Sequence, residues 1–206
     1  MGDLYAGINL TWEYVQGTCR LTMDNYIKNL RAKFDHPNPK KPHHPPHRHT
    51  PIIYGTKVQY AAETTRSPPP NNSGKLCIQQ LVRAICYYAK AVDNKLLLAL
   101  SELAKQQSSP TNDTNRDMLQ LLDYLATYPN DGITYRARDM ILAGHADAAF
   151  LNITNSRSCA GAHIMLSEDV PIPLHNGPVL TIAQIIKNVI STASKAEMTG
   201  LFTISK

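Results

Sequence analysis

Cysteine is scarce in this chain and never paired. Cys19, Cys77, Cys86 and Cys159 are the only four in 206 residues. No C-x-x-C pair occurs, so a zinc site built on them is not expected. Free thiols in a reducing compartment are the natural reading. Long apolar runs are also missing. The longest, Leu96 to Leu100, is far below the roughly 20 residues that cross a bilayer. No secretory leader pattern opens the chain, so the expectation is an intracellular protein of cytoplasm or nucleus, without a membrane partner. Gly-rich phosphate loops, H-E-x-x-H and nucleophile-elbow motifs are absent, which removes the commonest nucleotide-binding, zinc-hydrolase and serine-hydrolase readings. The Asp-Asp dipeptide is absent too. Acidic residues are the minority: 16 Asp and Glu stand against 21 Lys and Arg, a net charge of +5. That balance leans weakly towards a polyanionic partner.

What remains is enough for one large domain or two small ones. Residues 4–22 have β-rich composition and read as two short strands, LYAGINLTWEYV and TCRLTM, with Gly17 at the turn. Asp24 is the expected cap of a helix with Tyr26, Ile27, Leu30 and Phe34 along one stripe, stopped before Pro37. Residues 36–51, HPNPKKPHHPPHRHTP, read as an extended surface linker, because proline removes backbone donors and fixes φ. RSPPPNNSG at 66–74 is a second break, and KVQYA between the two is a strand candidate. Three helices follow. Ile78, Leu81, Val82, Ile85, Ala89 and Val92 share a face of the first. Lys95–Gln107 is the leucine-rich second. Met118, Leu121, Leu122, Leu125 and Ala126 repeat at helical spacing in the third, with Asp113 or Thr114 as cap. From Gly132 the period changes to two. ITYRARD, MILAGHADAAF, GAHIMLS and VLTIAQI read as strands, the second mostly buried. Ser194 to Glu197 matches an S-x-x-E capping box that opens a last helix.

Two carboxylates stand out in that last third. Asp147 falls on an apolar strand, where a buried carboxylate needs a partner, hydrogen bonds or a metal. Glu197 falls in the expected first turn of a helix, where the dipole favours negative charge. A strand aspartate facing a helix glutamate can hold Mg²⁺ through oxygen ligands. Two such ions about 3.5–4 Å apart would activate water and stabilise the leaving oxygen in phosphodiester hydrolysis. The plain alternatives are a strand-end turn former and a helix cap.

Several segments in order then add a resemblance. They are LYAGINLTWEYVQGTCRLTMDNYIKNL, IQQLVRAICYYAKAVDNKLLLALSELA, LLDYLATYPNDGITYRARDMILAGHADAAF, NSRSCAG and IIKNVISTASKAEMTGLF. Together they resemble the part of copia-type LTR retrotransposon polyproteins that runs from the end of the reverse transcriptase into ribonuclease H. The resemblance implies an α+β fold: a helical thumb and connection region, then a partial ribonuclease H-like mixed sheet with its first helix. The implied divisions are residues 1–35 (end of the palm and start of the thumb), 36–74 (Pro/His-rich linker), 75–131 (helical thumb and connection) and 132–206 (the first half of ribonuclease H). It makes Asp147 the first catalytic aspartate and Glu197 the catalytic glutamate, both Mg²⁺ ligands. Ser158 and Gly161 match the family's S-x-x-G. Ala146 replaces the usual serine before the aspartate, and Phe150 the usual tryptophan or tyrosine after it. Two further nuclease aspartates and the polymerase aspartates have no counterpart here. The expectation is therefore a fragment whose parent copies RNA into DNA and cuts RNA in RNA–DNA hybrids, inactive by itself. The strand bearing Asp147 is then expected at an exposed apolar edge.

Two other signals carry less. His36, His43, His44, His47 and His49 crowd the proline-rich segment, where clustered imidazoles bind transition ions adventitiously. Lys28, Arg31, Lys33, Lys40 and Lys41 are candidates for phosphate contacts to an RNA–DNA hybrid or other duplex, without reading sequence. Other readings are a non-catalytic nucleic-acid-binding protein derived from such an element, and an unrelated helical interaction domain.

Overall fold

The structure, a computed structural model, describes residues 2–48, 72–153 and 157–205. The KVQYA candidate and His49 lie outside these residues. With 39% helix and 28% strand the chain is α+β, as expected. The described residues form two compact units, 2–48 with 72–134, and 135–153 with 157–205. The opening segment and the helical region, expected as separate divisions, thus share one unit.

The first unit opens with β1 (Gly2–Tyr5), β2 (Ile8–Glu13) and β3 (Thr18–Thr22). This is three strands where the composition suggested two. Ala6 and Gly7, with φ of 50° and 81°, make a two-residue turn that pairs Tyr5 with Ile8. Positive φ at both positions matches the twist of a tight hairpin, and it folds LYAGINL back on itself. Gly17 (φ 61°) ends the second turn, as expected. Helix α1 (Tyr26–Lys33) follows from Asn25, which makes no side-chain cap. Asp24, the expected cap, instead accepts from Thr22 Oγ1 at 3.1 Å. Then come α2 (Asn72–Ala91), a 3₁₀ turn (Asn94–Leu96), α3 (Leu97–Gln106) and α4 (Asn112–Thr127). The cap of α4 is Thr111 rather than Asp113 or Thr114. Its side chain accepts from Thr114 N, and Thr114 Oγ1 accepts from Thr111 N. Strand β4 (Gly132–Arg136) completes the sheet order β1-β2-β3-β4. Gly132 runs so close to β3 that a Cβ there would meet Leu21 O at 2.5 Å.

The apolar stripes converge on one core. Ile27 and Leu30 of α1 meet Ile78, Leu81, Ile85, Tyr88, Ala89 and Val92, then Leu96, Leu100 and Leu103, and Met118, Leu121, Leu122 and Leu125. Every residue of the expected α2 stripe is buried. Tyr88 and Tyr124, outside the expected stripes, are buried as well.

The Pro/His-rich segment corrects an expectation. Residues 36–48 are extended, yet they lie as a strap along α4 rather than as a free linker. His36 Nε2 meets Asp123 Oδ1 at 2.8 Å. His43 N donates to Thr127 Oγ1 at 3.0 Å, and its Nδ1 meets Gln120 Oε1 at 3.1 Å. Gln120 Nε2 donates to Pro45 O, and Arg48 donates to Asp117. Residues 113, 117, 120 and 127 of α4 recur at three- and four-residue spacing, or multiples of it, so the strap follows one helix face. The prolines leave no donors to form a ladder, and α4's polar side chains take their place.

The second unit is an antiparallel meander, β5 (Ile141–Ile153), β6 (Arg157–Ser167) and β7 (Pro178–Ile185), in the order β5-β6-β7. The mixed sheet expected here is not formed among the described strands. Helix α5 (Ala193–Ile204) packs on β5 and β6. Small residues let it approach closely: a Cβ on Gly200 would lie 3.6 Å from Ala148 Cβ. The core of this unit is slight, with Ala160, Ile186 and Ala196 buried and Ala148, Phe150 and Ile190 packed on them. The expectation that MILAGHADAAF is mostly buried therefore fails. Met140, Ile141 and Leu142 are exposed, because β5 is an edge strand of this sheet and α5 covers one of its faces.

Candidate carboxylate pair and nucleic-acid interface

Asp147 sits in the regular part of β5, opposite Gly161, and is exposed. Gly144 and Ala148 look towards α5, since a Cβ on Gly144 would lie 3.5 Å from Ile204 Cγ2 and Ala148 Cβ faces Gly200. Side chains alternate along a strand, so Asp147 points to the other face. Glu197 is also exposed. The cap of α5 is Thr192, whose side chain accepts from Lys195 N at 3.3 Å. The helix thus begins two residues earlier than the S-x-x-E pattern suggests. Glu197 falls in its second turn, and the first turn holds no acidic residue. The dipole argument for Glu197 weakens accordingly, because that effect fades beyond the first turn.

In this arrangement the two carboxylates do not face each other. Among the described residues no group of three or more His, Cys, Asp or Glu side chains is arranged to hold a metal ion. The residues present do not fit a two-ion Mg²⁺ centre, and no catalytic step is derived through one. Ser158 and Gly161 have local roles. Ser158 is buried and its Oγ accepts from Leu151 N at 3.1 Å, where β5 bulges and Leu151 takes φ 52°. A Cβ on Gly161 would meet only Ile182 O, at 3.9 Å.

The chain matches no protein-family model, no curated protein and no solved structure. Its function is therefore argued from the chain alone.

The basic candidates separate into two sets. Lys28, Lys33, Lys40 and Lys41 are exposed. Arg31 is committed internally: its Nη2 donates to His36 O at 3.3 Å and to Asn38 Oδ1 at 2.7 Å, which holds the start of the strap. Lys28 and Lys33 are five residues apart, hence about 140° apart around α1, so they do not form one row on that helix.

Two constellations escaped the sequence reading. Asp93 is buried with neither carboxylate oxygen in a hydrogen bond. The Lys95 ammonium lies 3.7 Å away and leans on the rings of Tyr124 and Tyr128. Burial pushes the Asp93 carboxyl up to about 6, with Lys95 opposing the rise and Asp131 adding to it. In the second unit, His145, His163 and His175 gather on one face of the sheet, beside the buried Asn176. The Asn-Gly pair at 176–177 is a turn signal in the sequence. The three histidines have no common spacing, and only strand register brings them together.

Proposed function

We propose that the chain is a piece of a copia-type reverse transcriptase–ribonuclease H, and that by itself it binds duplex nucleic acid and catalyses neither parent reaction. One observation carries the family part of this reading. Three antiparallel strands in sequential order are followed by a helix laid on the first two, with Asp147 on the first strand and Glu197 on the helix. The divergence of those two side chains supports inactivity. Four exposed lysines and the net charge of +5 support attachment to a phosphate backbone.

The test is a nuclease and binding assay on the purified chain with an RNA–DNA hybrid and Mg²⁺. The expected result is no cleavage, with binding that weakens steeply as salt rises. If all four lysines contact phosphates, the log–log salt slope for a hybrid is about −4, and replacing all four with alanine removes most of it. Asp147→Asn leaves binding unchanged. Cleavage that Asp147→Asn abolishes would overturn the claim of inactivity. Failure to bind any duplex at low salt would overturn the nucleic-acid reading and favour a helical interaction domain.

A further inference from the structure

His145 of β5 stands directly opposite His163 of β6 in the antiparallel register. The turn between β6 and β7 brings His175 over both. Its ring centroid lies 4.9 Å from that of His145 and 5.8 Å from that of His163. Three imidazoles bound to one tetrahedral zinc, at Zn–N of about 2.0–2.1 Å, have ring centroids about 5 Å apart. The spacing therefore already suits a shared ion. As placed, the rings pack on one another and their nitrogens do not meet at a common point. His145 and His175 are exposed, so their rings turn without opening the core.

The surroundings are built rather than incidental. His163 Nε2 lies 3.1 Å from Asn176 O, an acceptor only, so this nitrogen carries the proton and donates. That leaves the lone pair of Nδ1 available. A ligating histidine typically has its other N–H held by a backbone carbonyl in this way. The loop that carries His175 is fixed on both sides of it. Ser167 Oγ donates to Leu174 O at 3.1 Å. Asn176 Oδ1 accepts from Arg136 N at 2.7 Å and Gly177 N at 2.9 Å. Asn176 Nδ2 donates to Arg136 O at 2.9 Å and Leu166 O at 2.8 Å. Tyr135 fills the space at Gly177, where a Cβ would fall 2.6 Å from its ring, and Tyr135 OH donates to Pro178 O.

We propose that His145, His163 and His175 form a binding site for a divalent transition ion of the zinc class, with water in the fourth position. An all-imidazole set suits Zn²⁺, Cu²⁺ and Ni²⁺ and disfavours Mg²⁺ and Ca²⁺. Such an ion ties β5, β6 and the β6–β7 loop together in a unit whose apolar core is slight, and any ligand confined to the folded state stabilises that state. The site is independent of the Asp147 reading.

The test uses the full chain with Co²⁺ as spectroscopic probe, Zn²⁺ as competitor, and hydrogen exchange as a second readout. One equivalent of Co²⁺ is expected to give the visible bands of tetrahedral nitrogen ligation, displaced by Zn²⁺. Zn²⁺ is expected to slow exchange in residues 141–149 and 158–177. His145→Gln and His175→Gln, both at exposed positions, each weaken binding at least tenfold and abolish the added protection. His44→Gln and His47→Gln in the strap change neither. Binding that follows the strap histidines instead, or Zn²⁺ binding without added protection in the second unit, would mark an adventitious ion only and overturn the proposal.

Discussion

Asn176→Ala tests whether the second unit hangs on one buried amide. Asn176 is 8% exposed. Its side chain bonds Arg136 N, Gly177 N, Arg136 O and Leu166 O, all at 2.7–2.9 Å. Alanine leaves those four backbone groups without partners. A hydrogen bond contributes about 0.5–1.5 kcal/mol net, and an orphaned buried group costs about 1–3 kcal/mol. Water entering the vacated volume offsets part of this, so the expected loss is about 2–4 kcal/mol for this unit. Domains have about 5–15 kcal/mol in total, and a core this small sits at the low end. The unit is therefore expected to open while the first unit stays folded. Trp12, the single tryptophan, lies in β2 of the first unit, so its fluorescence is a built-in control. Urea unfolding followed by hydrogen exchange is the assay. Protection in residues 158–185 falls by one to three orders of magnitude, and the Trp12 transition does not move. A change below about 0.5 kcal/mol in that segment would refute the reasoning, as would an equal shift at Trp12.

Two further outcomes follow from other sites. Burial holds the folded Asp93 carboxyl at about 6, against 3.8 unfolded. A raised folded pKa means the stabilising protonated form is fully present below about pH 4 and is lost as pH rises through about 6. By linkage this costs about 3 kcal/mol at neutrality. Asp93→Asn keeps the shape without the charge, so urea midpoints should decline less from pH 4 to 7 than in the parent; parallel slopes would sink this account. At the close contact of α5 with β5, Gly200→Ala meets only ordinary van der Waals neighbours and gains helix propensity of up to about 1 kcal/mol. Gly200→Leu overpacks the same seam and should cost about 1–3 kcal/mol, read as faster exchange in β5. Equal stability of the two variants would contradict the packing described.

Helical periodicity was the most legible layer of the sequence. The Ile78 to Val92 stripe and the Leu121, Leu122 and Leu125 set are all core, because a 3.6-residue period needs no long-range information. Caps were less legible. Thr111 and Thr192 cap their helices, while Asp24, Asp113 and Ser194 match the same residue preferences without doing so. The first hairpin hid because Ala6, an unusual residue for a left-handed turn position, interrupts no β-rich run. Burial of β5 was misjudged because apolar composition says nothing about how many layers are available to cover it. The strap was misread because its partners on α4 are 65 to 87 residues away. The histidine triad has the same origin: it exists only through register and a loop pinned by Asn176.

The strap also changes what the first unit presents electrically. Along α4, Asp113, Asp117 and Asp123 give the strap-facing side three negative charges. Residues 36–48 carry Lys40, Lys41 and Arg48 and no acidic residue. Arg48 pairs with Asp113 and Asp117, and His36 covers Asp123, while Lys40 and Lys41 remain outermost. A helix face that would repel a polyanion is thereby turned into one that attracts it, at distances set by the Debye length of about 8–10 Å. Proline's missing donors keep the segment flat enough to act as an electrostatic veneer, and peeling it away would reverse the sign of the field on that side of the molecule.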